Sequence, residues 1–114
     1  MNWIELNSEK ELENIKAQSF SKPQLIFKHS TSCSISSVAK NRLEKGFANL
    51  DPNIFDFYYL DLLKYRSLSA AIAEFFDVHH ESPQVLLIKK GSCIYDESHY
   101  AINIDDIEEQ ALSN

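Results

Sequence analysis

The sequence predicts an α/β fold: a mixed central sheet flanked by helices on both faces. Three observations lead there. Short apolar runs bounded by turn residues alternate with longer segments whose apolar residues recur at helical spacing. The alternation ends in two strands joined through Lys89-Lys90-Gly91-Ser92, a hairpin pattern, followed by one more helical segment. The 114 residues are 44% hydrophobic and include seven Phe, five Tyr and one Trp, enough for a real core in a single domain over 1–114.

Trp3 to Leu6 reads as a short strand. Asn7 or Ser8 then caps a helix whose apolar positions include Leu12, Ile15 and Phe20, and Pro23 marks the turn after it. Gln24 to Lys28 carries Leu25-Ile26-Phe27, the pattern of a strand buried on both faces. From Ser34 the period changes, and Ile35, Val38, Ala39, Leu43 and Phe47 fall near one face of a helix expected to close around Gly46 to Leu50, before Asp51-Pro52. Ile54 to Asp61, rich in Phe and Tyr, is a second core strand. Ser67 to Phe76 is helical again, with Leu68, Ile72, Phe75 and Phe76 at helical spacing. Pro83 precedes the central strand Val85 to Ile88, the hairpin turns into Cys93-Ile94-Tyr95, and Asn103 or Asp105 starts a helix with Ile107, Ala111 and Leu112. This order is that of the thioredoxin fold, with right-handed crossovers for the parallel pairs. Function in such sheets gathers at the carboxyl ends of parallel strands, where Cys33 falls.

Composition narrows the function. A net charge of −6, with no block of Lys and Arg, argues against nucleic acid as a partner. The absence of a signal-peptide-length or bilayer-length apolar stretch points to a cytosolic protein without a membrane partner. Two cysteines sixty positions apart do not form a disulfide framework. Nothing in the sequence fixes the oligomeric state.

Cys33 carries the chemistry. It stands where a helix should begin, among unpaired backbone N–H groups and the positive end of the helix dipole, so an anionic sulfur is favoured there. Ser36 three positions on makes a C-x-x-S arrangement: a hydroxyl cannot resolve a mixed disulfide and can only donate to the thiolate, or else it simply caps the helix start. Pro83, with Ser82 before it, either enters the strand as an ordinary trans proline or, given the fold, as a cis proline exposing the Ser82 backbone to a partner. His29 ends the strand before Cys33 and either approaches the sulfur as imidazolium or has no chemical role. The hairpin should bring Ser98-His99-Tyr100 near Pro83, lining a substrate groove or forming a solvated loop. Cys93 reads as a small core residue rather than a resolving thiol. His79 and His80 match no zinc spacing, so no metal is expected.

The segments Phe27-Lys28-His29-Ser30-Thr31-Ser32-Cys33-Ser34-Ile35-Ser36, Ala71-Ile72-Ala73-Glu74, His80 to Ile88 and Ser98-His99 resemble the monothiol bacilliredoxin family of bacterial thioredoxin-fold proteins, over nearly the whole chain. The resemblance implies that Cys33 is the attacking cysteine, Pro83 the cis proline, and the substrate a mixed disulfide carrying bacillithiol. The family commonly reads Thr-Cys-Pro-Ile-Ser, whereas here Ser32 replaces the threonine and Ser34 the proline. Serine at 34 restores an N–H that can point toward the sulfur, so the redox poise is expected to differ from the family's. The buried acid that thioredoxins carry six positions before the nucleophile is here Phe27.

The expected activity is monothiol exchange. Cys33 takes the small thiol from S-thiolated cytosolic proteins, Ser34 and Ser36 stabilise the thiolate, and Ser32, Ser82, Pro83 and His99 bind substrate. Bacillithiol serves as co-substrate and no cofactor is tightly bound. Two rivals stand beside it: an iron–sulfur carrier like the monothiol glutaredoxins, and a catalytically silent thioredoxin-fold interaction module.

Overall fold

The computed structural model describes residues 3–51 and 53–113. Its elements follow the expected order: β1 (Ile4–Glu5), α1 (Lys10–Gln18), β2 (Gln24–His29), α2 (Ser34–Phe47), β3 (Asp56–Asp61), α3 (Arg66–Phe75), β4 (Gln84–Lys89), β5 (Ser92–Ser98), a 3₁₀ turn (His99–Ala101) and α4 (Ile104–Leu112). The sheet runs β1-β3-β2-β4-β5. β3 pairs parallel with β1 and β2, whereas β4 pairs antiparallel with both β2 and β5. The α/β class and the thioredoxin topology are therefore as predicted, with the β2–β4 pairing an antiparallel contact added to the hairpin.

β2 is the axis of the molecule, and all six of its residues are buried. Its alternating side chains feed two cores. Ile26 joins Leu12, Ile15, Leu68, Ile72 and Leu86 under α1 and α3. Leu25 and Phe27 join Leu43, Phe47, Leu87, Ile107 and Ala111 under α2 and α4. Helices thus cover both faces.

Several apolar positions depart from the predicted stripes. On α2 the buried residues are Ser36, Ala39, Leu43 and Phe47, while Val38 is exposed. The face is rotated so that a serine occupies a core position. α2 does close at Phe47, within the expected Gly46 to Leu50 stretch, and Gly46 has to be a glycine because a Cβ there would stand 2.3 Å from Ile104 Cγ2. The glycine lets α4 cross α2 closely. Pro52, expected just beyond this helix, lies outside the described residues. α1 begins one residue later than the caps suggested, with Ser8 Oγ accepting from Lys10 N–H at 3.2 Å. Phe20 falls past the end of α1 and covers the hairpin turn, where a Cβ at Gly91 would meet its ring at 2.7 Å. That turn needs two left-handed residues, Lys90 at φ 54° and Gly91 at φ 85°. Ser19 fastens it, accepting from Gly91 N–H through Oγ at 2.8 Å and from Lys90 N–H through its carbonyl at 3.0 Å. Asn103 caps α4 through Asp105 N–H at 2.8 Å.

Candidate functional site

β2 ends at His29 and hands the chain to a short loop, in which Cys33 N–H donates to Ser30 O at 3.1 Å. Cys33 is the N-cap of α2, with φ −107° and ψ 119°, the extended geometry usual at that position. Its thiol is half-buried and makes no capping hydrogen bond, so the sulfur sits at the mouth of the helix beside N–H groups that have no intrahelical acceptor. Ser32 and Ser34 flank it on the exposed surface, Ser32 Oγ lying 3.3 Å from Ser30 Oγ.

Ser36 does not serve the sulfur as expected. Its side chain is fully buried, 2.6 Å from His29 Nδ1 and accepting from Ser30 N–H at 3.0 Å. The hydroxyl therefore binds the first turn of α2 to the end of β2. The reason is the rotation of the helix: Ser36 shares the core face with Ala39 and Leu43, so its oxygen meets the polar groups at the end of β2 instead of the loop surface.

His29 is likewise turned inward, its ring tilted against those of Phe27 and Tyr59 at centroid separations of 5.7 and 5.5 Å. Burial lowers its pKa, and the Lys40 ammonium lowers it further against smaller opposing effects of Asp61 and Glu44. A neutral imidazole bonded to Ser36 replaces the imidazolium beside sulfur that the sequence left open.

Register places Pro83 at the same end of the sheet. Lys28 pairs with Gln84, so the residue entering β4 lies alongside the residue leaving β2. Pro83 is buried, its bond to Ser82 is cis, and its carbonyl accepts from His99 N–H at 3.1 Å. His99 adopts a left-handed φ of 54°, and its Nε2 stands 4.0 Å from Glu81 Oε2. The 3₁₀ turn that starts at His99 packs on α2. Cys33, Ser32, Ser34, Ser82, Pro83 and His99 thus share one end of the fold.

Cys93 does not. It pairs with Ile88, whereas Pro83 adjoins Gln84 at the other end of β4, a separation of roughly 13 Å at about 3.3 Å per residue. A disulfide needs Cα atoms within about 7 Å, so Cys93 cannot resolve Cys33 without refolding. Its Sγ donates to Tyr95 O at 3.3 Å, and burial pushes its pKa up to about 11. Among the described residues no group of three His, Cys, Asp or Glu side chains is placed to hold a metal ion.

One polar cluster was missed by the sequence reading. Lys28 is fully buried in β2, its Nζ 3.2 Å from both Ser69 O and His80 Nδ1. Burial lowers its pKa from 10.5 to about 8. A lysine following Leu25-Ile26-Phe27 in a strand read as buried on both faces was the available signal.

A thioredoxin fold with a single cysteine at the helix mouth after β2 defines the class, a one-thiol thioredoxin-like protein. The chain matches the monothiol bacilliredoxin BrxC family over residues 4–107 and belongs to that family. Among solved structures it is similar to a thioredoxin-fold protein proposed to be an oxidoreductase, at 31% identity and a TM-score of 0.81, covering 96% of this chain and 93% of that one. It shares its fold with spinach chloroplast thioredoxin f, at 17% identity, TM-score 0.71 and coverage of 96% and 93%. The same holds for the thioredoxin of Malassezia sympodialis, at 14% identity, TM-score 0.71 and coverage of 96% and 88%. Family and fold support a thiol oxidoreductase-like role. Among the described residues no helix is long and apolar enough to cross a membrane.

Proposed function

We propose that the protein removes bacillithiol from S-bacillithiolated cytoplasmic proteins by exchange at Cys33. The observation that carries this reading is the isolation of the thiol: Cys33 stands at the mouth of α2, Ser36 occupies the place of a resolving cysteine, and Cys93, in β5, pairs with the far end of β4. In the first step Cys33 thiolate attacks the bacillithiol sulfur of the mixed disulfide. The bond between that sulfur and the protein breaks, the substrate cysteine leaves as thiolate and takes a proton from water, and Cys33 holds bacillithiol as a new disulfide. In the second step a free thiolate of the small-thiol pool attacks the bacillithiol sulfur, regenerating Cys33 and releasing a small-molecule disulfide. Electrons balance with the small thiol as the only reductant. Ser32, Ser34, Ser82, Pro83 and His99 form the surface the substrate meets, and the N–H groups at the start of α2 stabilise the sulfur anion.

The test is mass spectrometry of an S-bacillithiolated protein incubated with this protein and a small excess of bacillithiol. De-thiolation with a transient adduct on Cys33, abolished in Cys33→Ala, is expected. De-thiolation that survives Cys33→Ala refutes the reading. Absence of any Cys33 adduct supports the silent interaction module instead, and brown colour after anaerobic reconstitution with iron and sulfide supports the cluster carrier.

A further inference from the structure

We propose that the cleft between α3 and the segment entering Pro83 is a carboxylate subsite, taking the acid arm of the low-molecular-weight thiol exchanged at Cys33. It rests on the thiol-exchange reading above. The cleft has a volume of ≈ 390 Å³ and is lined by Leu62, Arg66, Ser69, Ala70, Ala73 and His80.

Two of its polar side chains, Arg66 and His80, offer donors, while the Ser69 hydroxyl spends its proton on His80. Lys28 Nζ, 3.2 Å from His80 Nδ1, can only donate as an ammonium, so Nδ1 is the acceptor and the ring proton sits on Nε2. Ser69 Oγ lies 3.3 Å from the same Nδ1 and shares that acceptor. His80 is thereby fixed as a neutral Nε2–H donor, and its pKa is lowered by burial and by Lys28. Lys28 supplies a positive charge behind buried Ser69 and beside His80, which is exposed at the rim like Arg66. Arg66 is exposed at the rim and brings a planar fork that matches the two oxygens of a carboxylate. No acidic side chain lines the cleft, and the neighbouring Glu81 is turned toward His79 and His99 at 3.8 and 4.0 Å. Leu62, Ala70 and Ala73 give the walls an apolar surface for an aliphatic linker.

Lys28 and Arg66 bring two cations to this place in a chain of net charge −6, with Glu81 the neighbouring carboxylate acting on His80. It lies at the working end of the sheet. Leu62 N–H donates to His29 O at 2.8 Å where β2 gives way to the Cys33 loop, and His80 precedes Pro83 by three residues. A ligand with its sulfur at Cys33 and an acid group in the cleft would span the loop between them.

The experiment measures second-order rates of adduct formation at Cys33 with bacillithiol disulfide, its carboxyls either free or methylated. Each rate is divided by that of a simple free thiol, to remove differences in leaving group. The free acid is expected to react about fivefold faster than the methylated form. In Arg66→Gln the ratio is expected to fall toward one, and raising the salt concentration should lower it in the wild type. Equal rates, or a ratio unchanged in Arg66→Gln, overturn the subsite and leave thiol exchange standing. Failure of Cys33 to react with either form overturns the exchange reading itself, and the subsite with it.

Discussion

Replacing Lys28 by Met tests the energetic reading of the buried amine. Lys28 is fully buried, and its pKa falls from 10.5 to about 8. At about 1.36 kcal/mol per unit, the fold holds the protonated form at a cost of about 3 kcal/mol. The sign follows from the direction of the shift. The folded amine binds its proton less readily than the unfolded one, so the penalty is fully present below about pH 8 and is relieved as pH rises toward 10.5. Methionine removes the charge and keeps most of the unbranched stem. Nothing polar is orphaned: Ser69 O keeps its helical partner within α3, and His80 Nδ1 keeps Ser69 Oγ at 3.3 Å. Allowing about 1 kcal/mol for imperfect filling, Lys28→Met should be about 2 kcal/mol more stable than the wild type at pH 7. With an m-value of about 1.5 kcal/mol/M, the urea midpoint should rise by about 1 M. Urea titrations at pH 7, 8, 9 and 10 should show the advantage shrinking across the upper half of that range. A variant less stable than the wild type at pH 7, or an advantage constant from pH 7 to pH 10, refutes the argument that charge burial dominates at this site.

The other predictions concern groups around the cysteine loop and the second thiol. Iodoacetamide at pH 8 followed by peptide mass spectrometry should leave Cys93 unmodified in the folded protein, because burial holds its pKa near 11; rapid labelling of Cys93 would show that β5 opens. Ser36→Ala leaves the buried Ser30 N–H without an acceptor and should cost about 1–3 kcal/mol in a denaturant titration, together with slower exchange at Cys33; an unchanged urea midpoint would remove Ser36 from the role given to it. His29 has a lowered pKa, so the unfolded chain takes its proton first, and stability should be lost as pH falls below about 6.5 toward the folded value. His29→Gln should lose part of that slope between pH 7 and 5, and an identical slope would show that the loss arises elsewhere.

The period of the apolar residues made the element order legible, because a strand buried on both faces and a one-sided helix leave different patterns. It could not set the rotation of α2, where Val38 reads as core and is exposed while Ser36 reads as a donor to Cys33 or a cap of the helix start and is buried. The difference is set by partners distant in sequence. Ser36 is accommodated in the core face because Ser30 N–H and His29 Nδ1 satisfy it there, and position 46 is a glycine because Ile104 crosses above it. Phe20 shows the same limit, since its partner is the hairpin turn at Gly91, far along the chain. Cys33 was legible because a helix start is a local feature, but its isolation from Cys93 is set by the β4–β5 register, which sequence spacing does not fix. Lys28 stands between these cases: its charge in a buried strand is visible as a violation of pattern, but its meaning depends on Ser69 and His80, which only the folded chain brings to it. A buried cation is costly unless something offsets it, and the two hydrogen bonds from Lys28 leave one ammonium proton without a protein acceptor. With the proposed subsite, an anion in the adjoining cleft would offset that charge in the bound state alone, so ligand binding should stabilise the fold through Lys28.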